Sequence, residues 1–329
     1  MNWQRSEFLP PRWLRSPHLQ SVLSSSPLRA IRARRRLHAV GATHATVVLD
    51  VGNGVRLQGV HSVKPGVDPR GLVVLLHGWE GSVDSNYMRL TASSLLDAGF
   101  AVFRLNFRDH GGSHHLNEGL FHSNRIDEIV DAVRVVAARW PIQPLFAAGY
   151  SLGGNFALRL ALRAHSHGLP LQRAVAVCPL LDPARTMDAM EAGLPLYMRY
   201  FERKWRGSLA RKRELFPQAH GFDDGVLRLR MRALTEWMVL RHTGFASLDD
   251  YWNGYSVAGE RLRALPIPVE ILMAADDPVI PLREFEAIAG FPNVQVELAA
   301  HGGHCGFIEN AKLDGYAERW VAKRLIASR

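Results

Sequence analysis

Short apolar runs alternate with longer segments of helical periodicity along most of the chain. Residues 72–76, Leu-Val-Val-Leu-Leu, are apolar at every position, which predicts a central strand covered on both faces. The first two candidate strands instead alternate apolar with polar residues, which predicts an antiparallel edge. We predict eight strands, at residues 46–49, 55–61, 72–76, 101–106, 145–148, 174–178, 269–274 and 294–298.

Between several of these strands lie segments with the spacing of amphipathic helices, at residues 87–98, 125–139, 155–164 and 282–288. Strands that alternate with helices indicate the α/β class, with a mostly parallel central sheet of about eight strands flanked by helices. The alternation stops between residues 182 and 266, where the sequence is helix-like, aromatic and basic. We therefore predict a helical cap at residues 183–265, inserted between strands of a core made of residues 46–182 and 266–329.

Composition and charge narrow the class of protein. A chain of 329 residues, 47% of them hydrophobic, can bury a large core. The net charge of +9 comes from two basic segments, 1–38 and 185–241, and the remainder is mildly acidic. Because no recognition motif for DNA or RNA is present, we expect no nucleic-acid partner. Solvated charged faces are the favoured explanation of the basic segments, and transient contact with a membrane surface is the alternative.

Three further features concern the cellular compartment. No apolar run approaches the roughly 18 residues of a spanning helix, and the first 20 residues lack the apolar stretch of a secretory signal. The two cysteines, Cys178 and Cys305, lie far apart in the sequence, so we expect two buried small hydrophobic side chains and no disulfide framework. These features predict a soluble cytoplasmic protein.

The segment Gly149-Tyr150-Ser151-Leu152-Gly153 follows a predicted strand and precedes a predicted helix. In that context the pattern G-x-S-x-G is typical of a nucleophile on a strained turn, which exposes the serine hydroxyl. A side chain two residues before or after the serine would collide with the neighbouring strand or helix, which explains both glycines. The alternative is a tight glycine turn in which the serine caps the helix.

A serine hydroxyl is a poor nucleophile at neutral pH, so the hypothesis requires a histidine base and a carboxylate behind it. For a serine on a turn of this kind, the order along the chain is serine, acid, histidine. Asp276 and Asp277 follow the seventh predicted strand, and His301 and His304 follow the eighth. We favour His304 as the base, because its preceding glycines form a loop that can reach the serine, whereas His301 follows the strand too closely.

Acyl transfer also requires two backbone N–H groups that stabilise the negative charge on the carbonyl oxygen. We expect the first from Leu152, where the helix after the serine begins. The second is expected from Trp79, in the loop after the central strand, where Gly78 allows the backbone to turn. His77 is predicted to bond the loop backbone. Glu80 is predicted to brace the loop through a salt bridge, with a catalytic acid as the alternative.

A metal centre is the main chemical alternative, because the chain has 15 histidines, three of them at positions 110, 114 and 115. Zinc hydrolases need three ligands at defined spacing, and neither HExxH nor a paired CxxC is present. We therefore expect no metal and no cofactor. A protein of another class, a hydrolase-shaped binding protein without activity, is less favoured because competent residues fill all three catalytic positions.

Together these motifs resemble the α/β-hydrolase superfamily and, within it, the YheT-like branch (AB hydrolase family four). The likeness spans nearly the whole chain. Hydrolases of this fold commonly carry Asp-x-[Val/Ile]-[Val/Ile]-Pro after the strand predicted at residues 269–274. This pattern aligns the acid with Asp277 and leaves Asp276 as a turn or cap carboxylate. The sequence departs from the pattern of this branch at residues 106–113, Asn-Phe-Arg-Asp-His-Gly-Gly-Ser, a segment expected to shape the acyl side of the pocket. The matching motifs are SPHLQS (16–21), HGWEGSVDSNY (77–87), GYSLGGN (149–155), LLDP (180–183), DDYWNGYS (249–256), ADDPVIP (275–281) and GGHCGF (302–307).

The resemblance implies a carboxylic ester hydrolase that uses Ser151, Asp277 and His304 and needs no cofactor. It implies a small-molecule ester as substrate, with a lipid or medium-chain acyl ester conceivable because relatives act on lipid esters. A thioesterase or amidase with the same triad stays open. The resemblance also implies that residues 1–45 form a basic arm packed on the core rather than a targeting signal. The acyl chain, the leaving alcohol and the oligomeric state are left open.

Overall fold

The computed structural model describes residues 3–326. In this part of the chain one sheet runs through the molecule, and its strand order is β1-β9-β8-β7-β6-β4-β5-β3-β2. The strands are β1 (Gln4–Arg5), β2 (Thr43–Asp50), β3 (Arg56–Val63), β4 (Leu72–Leu76), β5 (Ala101–Leu105), β6 (Leu145–Tyr150), β7 (Leu171–Val177), β8 (Val269–Ala274) and β9 (Val294–Ala299).

The sheet is parallel from β1 through β5 in that order, and β3 runs antiparallel to both β5 and β2. The predicted class, a mostly parallel sheet with an antiparallel edge, is confirmed. One strand more is present than the eight predicted. This additional strand, β1, has two residues, and so short a segment shows no periodicity in the sequence.

Helices flank the sheet, and three that lie outside the segment between β7 and β8 were not predicted: the first two and the last. Ser16 and Ser26 each precede a proline and accept a hydrogen bond from the backbone N–H three residues later, which begins α1 and α2. The Ser-Pro pairs were therefore a usable signal for both helices. The helices are α1 (Pro17–Ser24), α2 (Pro27–Ala39), α3 (Asn86–Asp97), α4 (Ile126–Arg139), α5 (Leu152–Arg163), α6 (Pro183–Ala192), α7 (Pro195–Leu215), α8 (Met231–His242), α9 (Leu248–Tyr255), α10 (Arg283–Glu286) and α11 (Tyr316–Ile326).

The crossovers explain why the central strands are apolar on both faces. The chain passes from β4 through α3 to β5 in one direction along the sheet, and from β5 through α4 to β6 in the other. Because parallel crossovers are right-handed, the two helices cover opposite faces. Every residue of β4, β5, β6 and β8 is accordingly buried.

Between β7 and β8 the chain forms α6, α7, α8 and α9 and no strand. We call this segment, residues 183–265, the helical insertion; its status as a separate cap stays a prediction. Lys212 of α7 anchors it to the loop after β5, because its buried ammonium lies 3.1 Å from the carboxylate of Asp109 and donates to the carbonyl oxygens of His114 and Gly119. The buried charge is thus paired and hydrogen-bonded, as burial of an ion requires.

The N-terminal segment contacts the other end of the chain. The buried guanidinium of Arg29 donates to Glu318 of α11 at 2.6 Å. Gln20 donates to the carbonyl oxygens of Leu14 and Ile308 and accepts from the N–H of Ile308. No helix within residues 3–326 is long and apolar enough to cross a membrane.

Candidate active site

Ser151 occupies the turn between β6 and α5, with φ 53° and ψ −118°. Both predicted collisions are present around it. A Cβ on Gly149 would lie 2.0 Å from the carbonyl oxygen of Gly153, and a Cβ on Gly153 would lie 2.2 Å from that of Leu76. The local sequence therefore permits a strained serine backbone that few other residue combinations would allow.

Ser151, His304 and Asp277 form one chain of hydrogen bonds. His304 Nε2 lies 3.0 Å from Ser151 Oγ, and His304 Nδ1 lies 2.9 Å from Asp277 Oδ2. The other oxygen of Asp277 accepts from the N–H groups of Val279 and Ile280 at 2.8 and 3.0 Å. Because the buried carboxylate accepts from Nδ1–H, Nε2 is the ring nitrogen that can take the serine proton. The structure brings the three favoured residues together, and their catalytic roles stay a prediction.

The charge environment makes His304 a strong proton acceptor. Burial lowers the pKa of its imidazole, but the charges of Asp277 and Cys305 and the hydrogen bond from Nδ1 outweigh burial and raise the pKa to about 9. The carboxylate thus strengthens the imidazole as a base, and the neutral ring that takes the serine proton is the form that predominates above this pKa.

The less favoured acid and base form a second pair beside the first. Asp276 Oδ1 accepts from the N–H of Gly303 at 2.9 Å, and Oδ2 lies 3.5 Å from His301 Nδ1. The Asp276 and His301 side chains are 20% and 29% exposed, whereas that of Asp277 is fully buried. The pair thus ties down the loop that carries His304, which is the turn-carboxylate role expected of Asp276.

The N-terminal segment supplies a contact to the base that the sequence reasoning missed. Ser21 Oγ accepts from the backbone N–H of His304 at 2.9 Å and donates to the carbonyl oxygen of Pro17. A Cβ on Gly303 would lie 2.2 Å from that same carbonyl. Helix α1 therefore packs directly on the loop of the base, and the SPHLQS motif was the available signal.

The loop after β4 runs beside the serine. A Cβ on Gly78 would lie 3.4 Å from the Cβ of Ser151, so the backbone of Trp79 follows close to the nucleophile. Within residues 3–326 no protein acceptor bonds the N–H of Trp79 or of Leu152. Both groups are free to donate to a substrate oxygen, and that role stays a prediction.

Two histidines hold this loop. His77 Nδ1–H donates to the carbonyl oxygen of Gly78 at 2.7 Å, and its Nε2 accepts from the N–H of Phe107 at 3.1 Å. His110 Nδ1–H donates to the carbonyl oxygen of Arg108, and its Nε2 accepts from the N–H of Glu80 at 3.2 Å. Burial lowers the pKa of His110 to about 4 and lowers that of His77 well below its usual value, so both rings are neutral and can accept.

The predicted salt bridge of Glu80 is wrong for the described residues, in which its carboxylate makes no ion pair. The loop is braced through the backbone of Glu80 instead, because Lys204 Nζ donates to its carbonyl oxygen at 2.6 Å. Glu80 itself has a φ of 56°. Burial raises the pKa of the Glu80 carboxyl to about 7, and the ammonium of Lys204 offsets only part of this. The loop at residues 106–113, whose sequence departs from the family pattern, holds the backbone N–H of Glu80 through His110.

An apolar cavity of about 90 Å³ opens beside Ser151. It lies between the core and the helical insertion, and none of residues 106–113 lines it. Trp79 forms part of its wall and stacks on Phe201 of α7, with ring centroids 5.3 Å apart. The lining residues are Trp79, Phe121, His122, Ser123, Ser151, Leu152, Leu180, Pro183, Thr186, Met187, Met190, Phe201, Trp205, Thr235, Met238, Tyr251, Trp252, Tyr255, Val279 and Ile280.

Two of the three histidines weighed as zinc ligands, His110 and His114, have other partners. His114 Nε2 lies 2.8 Å from Ser208 Oγ, and His110 bonds backbone groups as described. Among residues 3–326 one group of three metal-ligating side chains is found, made of Cys178, His304 and Cys305.

The family of the chain follows from comparison with known proteins. A family profile described as the alpha/beta hydrolase fold matches residues 71–311, a range that includes Ser151, Asp277 and His304. The chain belongs to the α/β hydrolase fold family. Among solved structures, the Pyrobaculum calidifontis esterase superimposes on this α/β hydrolase with a TM-score of 0.59 at 15% identity, covering 97% of this chain and 98% of that one. At this identity the likeness shows the fold alone.

Relatives in sequence place this α/β hydrolase in the YheT-like branch, as its motifs indicated. The protein named "Putative esterase YheT" of Escherichia coli (strain K12) is 28% identical over 97% of this chain and 92% of its own length. Phospholipase ABHD3 of Mus musculus is 26% identical over 73% of this chain. That match spans 59% of the phospholipase, less than two thirds of its length.

Proposed function

We propose that this chain is a serine hydrolase that cleaves a carboxylic ester through an acyl-enzyme. The observation that carries the proposal is the hydrogen-bond chain from Ser151 through His304 to Asp277, placed at one end of an apolar cavity. Relatives named as an esterase and as a phospholipase support an ester substrate.

In the first half of the proposed reaction, Ser151 Oγ attacks the ester carbonyl while His304 Nε2 takes its proton. The carbonyl oxygen becomes an oxyanion, to which the N–H groups of Trp79 and Leu152 donate. Asp277 holds the imidazole with Nε2 towards the serine and stabilises the imidazolium that forms. Collapse of the intermediate breaks the bond to the alcohol, which leaves with the proton from His304.

In the second half, water replaces the serine as nucleophile. His304, neutral again, takes a proton from the water as its oxygen attacks the acyl carbon. The same two N–H groups hold the second oxyanion. Release of the acid returns the proton to Ser151, so neither a metal nor a cofactor is consumed.

The cavity supports an apolar acyl group. Its walls beyond Ser151 are mainly methionine and aromatic side chains, and methionine adapts its shape to an apolar ligand without a polar penalty. The insertion contributes Met187, Met190 and Met238, so the acyl chain would lie between the insertion and the core.

A fluorophosphonate probe tests the nucleophile. It should label the wild-type chain and leave Ser151→Ala unlabelled, because only an activated serine attacks the phosphorus. Absence of labelling in a folded wild type would favour a binding protein without activity. Ester turnover by Ser151→Ala that a chelator abolishes would contradict the serine mechanism.

A panel of nitrophenyl esters of increasing acyl length tests the cavity. We expect an optimum in kcat/KM that Met238→Trp shifts to shorter chains, because the indole fills space that the acyl group would occupy. Leu240→Trp is the matched control, since Leu240 lies on the same helix and is 52% exposed. An unchanged optimum in Met238→Trp would show that the acyl group binds elsewhere.

A further inference from the structure

The two cysteines of the chain converge on the candidate base. Cys178 directly follows β7, and Cys305 directly follows His304. One ligand atom from each of Cys178, His304 and Cys305 lies within 4.8 Å of the other two. Both cysteines are free thiols, 0% and 8% exposed, so the sequence prediction of burial is confirmed while their proximity was not foreseen.

Both cysteines occupy backbone conformations that side chains rarely adopt, with φ of 43° and 55°. The Cys178 thiol points to the carbonyl oxygen of Gly303 at 3.9 Å, and the Cys305 thiol to that of Val177 at 3.7 Å. These contacts cross between the end of β7 and the loop of the base. The two thiols therefore lie close to each other across this gap.

Two thiols and an imidazole are the ligand set of a soft divalent cation with an open fourth position. In a tetrahedral zinc site with bonds of about 2.3 Å to sulfur and about 2.1 Å to nitrogen, ligand atoms lie roughly 3.5–3.8 Å apart. The ligand atoms of the cluster lie within 4.8 Å of one another, so an approach of about 1 Å would suffice. A disulfide would require the sulfurs to reach about 2.05 Å, which is a larger displacement.

We propose that Cys178, Cys305 and His304 form an inhibitory site for zinc or a cation of similar softness. Binding releases one proton from each thiol and also the proton of His304 Nε2 where the ring is protonated. The two thiolates balance the charge of the cation, so the buried complex carries no net charge. The proposed ligand atom of His304 is Nε2, because Nδ1 already donates to Asp277. Nε2 is also the atom that bonds Ser151, so metal binding and proton transfer exclude each other.

The inhibition rests on the proposed function, whereas the binding does not, and the first experiment therefore measures binding alone. Ser151→Ala, kept reduced with a phosphine, is titrated with Cd²⁺ while thiolate-to-cadmium absorption is followed in the ultraviolet. We expect one Cd²⁺ per chain, and no thiolate absorption when Cys178→Ser and Cys305→Ser are added. Absence of the band from the parent, or its persistence in the triple variant, would overturn the site.

The second experiment measures zinc inhibition of ester hydrolysis by the otherwise unmodified chain. We expect inhibition that a chelator reverses, and a half-inhibitory concentration that Cys178→Ser or Cys305→Ser raises by at least about tenfold. His115→Asn is the matched control, because it removes an exposed histidine outside the cluster and should leave the inhibition unchanged. Equal inhibition of the cysteine variants would refute the site.

A folding defect must be distinguished from a loss of metal binding, and metal binding from esterase activity. Near-ultraviolet circular dichroism identifies cysteine variants that fold, and Cys178→Ala with Cys305→Ala provides a second pair if the serine variants do not. Cadmium binding through thiolates by a chain that lacks esterase activity would support the site while refuting the proposed function. Esterase activity without such binding would refute the site alone.

Discussion

Two loops beside Ser151 each depend on a buried histidine: the loop of the base (residues 302–307) on His304, and the loop beside the serine (residues 77–81) on His110. The pKa values of these two histidines are shifted in opposite directions. The pKa of His304 is raised to about 9 because the Asp277 carboxylate outweighs burial. The pKa of His110 is lowered to about 4 because burial dominates and the ammonium of Lys204 disfavours a second positive charge nearby. Burial alone thus makes a histidine a neutral brace, and an added carboxylate makes it a base.

This difference in pKa gives the two histidines different roles beside Ser151. A protonatable ring can remove the serine proton, whereas a permanently neutral ring can hold a backbone N–H in place through one lone pair. His110 achieves this for Glu80, one residue after Trp79. Variants of the two sides should therefore differ in the size and kind of their effects.

The largest effect is expected on the side of the base. His304→Ala should lower kcat by roughly 10⁴ to 10⁶, because no other group can take the Ser151 proton. The measurement is steady-state hydrolysis of the best nitrophenyl ester, with active-site content determined separately. His301→Ala serves as control and should stay within about tenfold of wild type. A reversal of the two results would make His301 the base.

The next effect distinguishes the two adjacent carboxylates. Asp277→Asn should lower kcat by about 10⁴, because an amide cannot keep the imidazole in the required tautomer. Asp276→Asn should cost far less, since that side chain holds the Gly303 N–H, which an amide oxygen can also accept. Comparison of kcat at a single pH is sufficient. If Asp277→Asn stays within about tenfold while Asp276→Asn abolishes turnover, the assignment of the acid is wrong.

A smaller effect is expected on the other side. His110→Ala removes the acceptor for the Glu80 N–H and should displace Trp79, which lowers kcat by roughly 10- to 100-fold with little change in KM. His110→Gln should recover part of the loss, because its amide oxygen can accept the same N–H. Equal losses in both variants, or a change confined to KM, would count against a positioning role.

The smallest effect concerns Glu80 and the pH dependence of folding. Its pKa rises from 4.5 in the unfolded chain to about 7 in the folded one, so its contribution is fully present below about 4.5 and is lost as pH rises through 7. Glu80→Gln removes this loss and should be more stable than wild type above pH 7 by about 1–2 kcal/mol, less than full burial would give because water still reaches the residue.

Urea unfolding at pH 4.5 and at pH 8 measures this difference. The two proteins should have similar stability at the lower pH and diverge at the higher one. A constant difference at both pH values would show that the Glu80 carboxyl titrates normally.

The sequence predicted the sheet, the flanking helices and Ser151 from patterns a few residues long. It missed β1, α1, α2 and α11, and it mistook the backbone brace at Glu80 for a salt bridge. The errors at β1 and Glu80 share a cause: β1 is stabilised by pairing with β9, and Glu80 is held by Lys204 of α7, so each depends on partners distant in sequence. Local periodicity carries no information about such partners.

The sequence by itself determined the alternation of strands and helices along the chain and the turn at Ser151. The turn requires Gly149 and Gly153, because a side chain at either position would collide with a near neighbour or with the adjacent strand. Only the tertiary structure decided that Asp277 rather than Asp276 contacts His304. It also brought Ser21 to the base, His110 to the Glu80 backbone, and Cys178 beside Cys305. Each of these contacts joins segments that the chain brings together only when the sheet is complete, so their distances follow from packing rather than from spacing.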